Sequence, residues 1–306
     1  MLPAFFLPLS PRGFAQYSTA MVHTRWSSIL LILALCVGFV GDATFAASPP
    51  AQRQPVKRKV PEKAASVQAK PAPSPSIFSQ GETLRFSATF NQLDAGGGEI
   101  RLLQEKQTDG RDVFRFLGKA RTSEWIDYLY KRRDTADAIF GVSDYAPLSF
   151  LLSSREGDRR REYEVRYDPQ TKTLVGSVKR KSRVREQSFP AGSVYDPVSA
   201  LYQIRSRPLN PGTPIETRIF TGKGLYRFVA KVLEKETIEV DGGKRSALRL
   251  HPEVYSLEKD THENILPQET TLWVSADPTH IPLKIESGTI WGLIVVELDR
   301  KSLKAE

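Results

Sequence analysis

Residues that could carry chemistry are few in this chain and far apart. It has one cysteine, Cys36, and four histidines. His251, His262 and His280 follow the N-terminal apolar run, but no H-x-x-x-H spacing sets two imidazoles on one helical face to hold a metal. C-x-x-C and G-x-S-x-G are missing too, and with them the redox, zinc and nucleophile-elbow signatures. "THENILPQE" places His262 beside Glu263 and near Glu269, a pattern that fits a solvated loop better than an acid–base pair. "TGKGLYRF" has glycines spaced like part of a phosphate loop, yet it leads into an alternating strand and not a helix N-terminus. It therefore reads as a hairpin entry. "SVKRKSRVRE" places Lys179, Lys181, Arg183 and Arg185 on one strand face. That is either an anion-binding stripe or a solvated, charged edge that blocks sheet-to-sheet association. No catalytic residue, metal ligand or cofactor is assigned. A hydrolase of wall polymers, which needs two converging carboxylates, is the least favoured activity.

The elements around these residues are mostly strands. "TLRFSATF" alternates Leu84, Phe86, Ala88 and Phe90 onto one face, and "EYEVRYD" does so with Tyr163, Val165 and Tyr167. Turn signals recur at "LDAGGGE", "TDGRD", "REGDRR", "YDPQTK", "VDGGKR" and "SADPTH", a spacing that suits hairpins. In "YDPVSALYQIRSRPLNPG", Asp196 can cap a helix, Pro197 fits its first position, and Val198, Leu201, Tyr202 and Arg205 give it an apolar side. "SEWIDYLYKRRD" is a helical turn or an irregular strand rich in aromatic surface. The segment 290–298 is apolar at almost every position, which predicts a strand covered on both faces. The fold class is all-β with one or two short helices: a curled antiparallel sheet, an incomplete barrel or a β-sandwich. Residues 77–303 are expected to form one domain.

Ahead of this domain, Arg25 precedes the apolar run "ILLILALCVGFV" and the small-residue stretch "ATFAAS", so residues 1–46 read as a signal peptide, with Met21 an alternative start. The run has about a dozen residues, short of the ~20 that span a bilayer, so cleavage near Ala46 is preferred to an uncleaved anchor. Residues 47–76 read as a disordered Pro/Ala/Lys linker. Arg53, Lys57, Arg58, Lys59, Lys63 and Lys70 against Glu62 put +5 of the chain's net +9 there. The predicted location is the periplasm of a Gram-negative envelope, which leaves nucleic acid out as a partner.

Three stretches, "GETLRFSATFNQLDAGGGEI", "DPVSALYQIRSRPLNPGT" and "LWVSADPTHIPLKIESGTIWGLIVVEL", resemble an exported bacterial family designated domain of unknown function 3108, across Phe78 to Leu298. The resemblance rests most on Gly81, Glu82, Asp196, Ser199, Tyr202, Arg205, Trp273, Asp277, Pro278 and Pro282. It implies an envelope protein with no agreed activity. The last stretch is also similar to periplasmic lipoprotein carriers and their mycobacterial glycolipid-binding relatives, incomplete barrels whose concave face holds acyl chains. A curved apolar sheet plugged by a short helix could do the same, with Trp125, Tyr128, Leu129, Tyr202, Trp273 and Trp291 as candidate lining. The expected function is non-enzymatic: binding or carrying a lipid or other acylated molecule, with peripheral membrane contact or an uncleaved signal anchor. The alternative is an envelope adaptor that docks a protein partner by strand addition.

Overall fold

The structure, a computed structural model, describes residues 77–78, 81–258, 263–267, 269–289 and 292–299. The expected signal peptide and linker, together with His262, Ile290 and Trp291, lie outside the described residues.

Hairpins follow one another along the chain. β1 (Glu82–Phe90), β2 (Leu93–Lys106), β3 (Asp112–Thr122), β4 (Arg132–Gly141), β5 (Pro147–Glu156), β6 (Arg159–Asp168), β7 (Thr173–Arg180) and β8 (Arg183–Pro190) each pair antiparallel with the next. A two-residue β9 (Val194–Tyr195) pairs in parallel with β10 (Pro214–Phe220). The meander then resumes through β11 (Leu225–Val240), β12 (Gly243–Ser256), β13 (Thr270–Ser275), β14 (Pro282–Thr289) and β15 (Gly292–Leu298). β15 returns to β1 with Leu298 opposite Phe86, so the fifteen strands form one sheet whose ends are β8 and β9. Two helices interrupt it: α1 (Glu124–Tyr130) between β3 and β4, and α2 (Pro197–Arg205) between β9 and β10.

The sheet curls into an incomplete barrel with one unsealed seam. Side chains bridge that seam: Phe189 of β8 meets Phe220 of β10 edge-on, centroids 4.9 Å apart. Gly176 of β7 makes room for the Phe220 ring, because a Cβ there would lie 2.3 Å from its Cζ. Gly222, at φ +78°, brings the β10–β11 turn against β6, where a Cβ would lie 2.6 Å from Glu164 O. The inward face of every alternating strand supplies the core: Leu84 and Phe86 from β1, Phe114 and Phe116 from β3, Tyr163 and Val165 from β6. A second apolar cluster, built on Ile215, Phe228, Leu250 and Val274, packs beneath α2.

Three local expectations change, and one open alternative is decided. "LDAGGGE" is not a turn but part of β2, and the reversal falls one step earlier, at Asn91 and Gln92, both at positive φ. Its glycines serve close approach, since a Cβ on Gly96 would lie 2.1 Å from Arg121 O and one on Gly97 2.4 Å from Phe86 O. "SVKRKSRVRE" is not one strand face; it folds over the β7–β8 hairpin with Lys181 at the turn, and β8 is a sheet edge carrying exposed Arg183 and Arg185. "SEWIDYLY" is helical. β15 is covered on one face: Ile294, Val296 and Leu298 are buried while Leu293 is exposed. Its outer face needs no cover, because a barrel strand has one side in the core and one outside.

Gly176→Ala tests the seam. The added methyl must displace the Phe220 ring, and a loss of about 1 to 3 kcal/mol in urea unfolding is expected.

Candidate functional site

Asp196 begins the site. It lies ahead of α2 with extended backbone, and its Oδ1 accepts from the amides of Val198 (2.8 Å) and Ser199 (3.1 Å), while Pro197 occupies the first turn, where no amide is needed. Burial pushes the Asp196 carboxyl up to about 6, and hydrogen bonds from Ser199 and Val198 only partly oppose this. From this cap α2 runs across the concave side of the barrel and projects Tyr202 and Arg205 toward β1.

There they meet Glu82. Gly81, at φ +75° and packed against Leu102 O, turns the chain so that Glu82 opens β1 facing inward. Glu82 Oε1 accepts from Tyr202 Oη (2.6 Å) and Arg205 Nη1 (2.6 Å), and Oε2 accepts from Arg205 Nη2 (2.9 Å). Arg205 Nε donates to Thr279 O (3.0 Å), in the turn that Asp277 and Pro278 build. The guanidinium also lies 4.7 Å over the Phe78 ring, and Tyr202 stacks at 5.4 Å on Phe140. Burial alone would raise the Glu82 carboxyl. The Arg205 charge and the hydrogen bonds from Arg205 and Tyr202 outweigh it and hold Glu82 below the ordinary carboxylate range. Eight of the ten motif residues therefore build one clamp or the turns that feed it: Gly81, Glu82, Asp196, Ser199, Tyr202, Arg205, Asp277 and Pro278.

Beside the clamp lies a narrow apolar crevice of about 50 Å³. Pro197, Ala200, Leu201 and Ile204 of α2 form its roof, and Ile219, Phe228, Leu250, Leu272, Val274, Pro282 and Ile285 its floor. Arg205 is its one charged neighbour. None of the five expected lining residues that the structure describes is in it. Trp125, Tyr128 and Leu129 point outward from α1, on the other side of the sheet's inward face. Tyr202 is spent on the clamp and the aromatic core. Trp273, half-buried, donates from Nε1 to Glu236 Oε1 (2.8 Å) with Lys284 Nζ 5.9 Å from its ring, while its neighbours Leu272 and Val274 face the crevice. Trp291 lies outside the described residues. The described residues that do line the crevice are aliphatic apart from Phe228 and Arg205. The sequence signal for them is the apolar side of α2 and the alternation of β10 to β14.

Serine and aspartate come together, with His280 in the adjoining turn, at a second cavity of about 240 Å³ lined by Arg245, Ser246, Ser275, Asp277, Ile281 and Leu283. His280 Nδ1 faces Ser275 O (3.2 Å), and Ser275 Oγ accepts from Ile281 N (2.9 Å) and bonds Asp277. The hydroxyl is thus engaged in bracing the β13–β14 turn and does not point at the imidazole as a nucleophile would. Among the described residues no group of three His, Cys, Asp or Glu could hold a metal ion. Glu263 is exposed, and the neighbouring Asn264 Oδ1 accepts from Val254 N and Leu266 N, so that loop is a brace as well.

Fold and site define an incomplete antiparallel barrel plugged by a salt-bridged helix. The chain belongs to the family described as protein of unknown function (DUF3108), whose model matches residues 85–299. No curated protein matches it. It is similar to a solved β-barrel-like protein of the domain of unknown function DUF1849 from Brucella abortus, at 8% identity and a TM-score of 0.47, covering 71% of this chain and 95% of that one. It is also similar to LprF from Mycobacterium bovis, at 13% identity and a TM-score of 0.17, covering 72% of this chain and 84% of that one.

Two predictions follow from the clamp. Glu82→Ala leaves Arg205 buried without its carboxylate and should cost about 3 to 5 kcal/mol in chemical unfolding. Asp196 binds its proton more tightly folded than unfolded, so its contribution is fully present below about pH 4 and is lost as pH rises through 6. Measured against Asp196→Asn, which keeps the cap acceptor, the native chain should gain of order 1 kcal/mol between about pH 8 and pH 5.

Proposed function

We propose that this is a non-enzymatic protein of the bacterial envelope that binds an apolar or acylated molecule between α2 and the concave face of the sheet. The observation that carries this reading is the crevice itself: an apolar surface, aliphatic except for Phe228, between a nine-residue helix and the wall of a barrel with an unsealed seam. At about 50 Å³ it is closed down relative to the roughly 300 to 1,000 Å³ of an occupied small-molecule pocket, so binding requires α2 to lift from the floor. Each methylene that enters gains about 0.8 kcal/mol, enough for an acyl chain to offset separation of the few aliphatic contacts under the helix. Arg205, at the crevice's edge, is positioned to remain with Glu82 while the apolar side of α2 moves.

Periplasmic location and export by residues 1–46 belong to this proposal. So does the view that residues 77–303 act as one domain. Docking of a protein partner along the β8 edge is less supported, since that strand carries exposed Arg183, Arg185 and Glu186, the charges that guard an edge against strand addition.

Native mass spectrometry of the chain purified without detergent, followed by solvent extraction, tests the reading. Copurified lipid or uptake of a fluorescent fatty acid is expected. Ile204→Gln, which puts an amide into the roof, should lower retention by about tenfold with the unfolding midpoint nearly unchanged. A bare mass with no fatty-acid uptake would overturn it.

A further inference from the structure

α1 leaves its apolar residues in water. Tyr128 is 92% exposed, Leu129 67% and Trp125 39%. They are held rigidly all the same: Ile126 and Tyr130 anchor the helix inward, Trp125 Nε1 and Ser123 Oγ both donate to Asp94 O, and Gly157 N donates to Lys131 O (2.8 Å). Leu93, next to Asp94, and Leu293, whose carbonyl accepts from Asn91 N (2.9 Å), are exposed on the same rim. An apolar patch of this kind on a fixed scaffold marks a contact surface.

The sheet below it supplies the charge. Arg121, Arg133, Arg155 and Arg160 stand directly opposite one another on β3, β4, β5 and β6, an unbroken cross-strand row. Arg133 is paired with Asp127. Arg121, Arg155 and Arg160 have no ion pair among the described residues, and Arg155 Nε reaches Gly157 O (3.3 Å) instead. Exposed Lys131 and Arg159 adjoin the row; Asp94, Glu124 and Asp158 are the exposed carboxylates nearby. Like charges directly opposite in a sheet are destabilising, so the row is complementary to something strongly anionic.

We infer that the α1 rim docks on an anionic lipid bilayer surface, with Trp125, Tyr128 and Leu129 at the boundary between headgroups and acyl chains and the arginine row on lipid phosphates. Guanidinium forks pair with phosphate in two-pronged fashion, and amphipathic aromatic rings settle at this depth. A protein partner would account for the apolar patch but not for an arginine row that extends past it across the neighbouring strands with Arg121, Arg155 and Arg160 outside any ion pair among the described residues.

The full chain is tested for cosedimentation with vesicles of phosphatidylcholine and phosphatidylglycerol, about three to one, and of phosphatidylcholine alone, with Trp125 emission followed in parallel. Binding should require phosphatidylglycerol and weaken with salt. Arg155→Gln with Arg160→Gln should lower it by about fivefold per arginine, and Tyr128→Ser with Leu129→Ser by about tenfold, with far-ultraviolet circular dichroism unchanged. The emission should shift to the blue on binding, and Trp125→Phe should remove the part of that shift that depends on phosphatidylglycerol. Whatever binding survives in the combined four-residue variant measures the apolar run at residues 29–40. Native-level binding by both double variants, or equal binding to phosphatidylcholine alone, overturns the inference whatever becomes of the crevice ligand.

Discussion

The pairing of Glu82 with Arg205 is the constraint on which the remaining architecture turns. It joins the first residue of β1 to the last residue of α2 across 123 positions of sequence. A fork of two parallel hydrogen bonds allows one helix position and one rotation, which is more than apolar packing alone would specify. The net stability of such a buried pair is modest, because both ions are desolvated. Its effect is to fix register. Tyr202 on the same carboxylate, Phe78 under the guanidinium and Thr279 O on its third nitrogen leave Arg205 no second arrangement that keeps all its partners.

That fixed point matters because, among the described residues, no strand ladder joins β8 to β9 to close the barrel. β8 and β9 end the sheet, and the ring of Phe220 resting on Gly176 and Phe189 does what a ladder does elsewhere. Side-chain contact resists shear less than paired strands do. α2 lies in the chain directly between β9, at the seam, and β10, its neighbour, so lifting the helix and loosening the seam are coupled by connectivity. Under the proposed function this is the way in for a ligand, with the clamp as its hinge.

Much of the fold was legible in the sequence where chemistry is local. Asp196 and Pro197 announce α2 by cap and φ preference, and Leu84, Phe86 and Ala88 announce β1 by alternation. The glycines of "LDAGGGE" misled because flexibility and close approach use the same residue; which one applies depends on Arg121 and Phe86, strands brought alongside only by the fold. The motif residues were identifiable as a set, but their convergence was not, since Gly81 with Glu82 and Tyr202 with Arg205 are distant in sequence. That Trp125, Tyr128 and Leu129 lie away from the crevice has a plainer reason. The short helix that carries them gives no sign in sequence of which face is buried, because large side chains occupy nearly its whole circumference.

The resulting distribution follows from what each side chain can bond. An acyl chain offers no hydrogen-bond partner, so a tryptophan or tyrosine facing it would bury an indole N–H or a phenol O–H unpaired, at a cost of about 1 to 3 kcal/mol. Among the described residues the crevice has one aromatic residue, Phe228, and its side chain carries no polar atom. Where Tyr202 goes inward and Trp273 is half-buried, each finds a carboxylate. Outside, on α1, phenol and indole can hold water, phosphate or backbone with one edge and apolar material with the other, and there the arginine row adjoins them. Under the two proposals, apolar surface within faces the chain of a lipid and aromatic surface with arginine on the rim faces its headgroup, so each chemically distinct zone meets the side chains able to satisfy it.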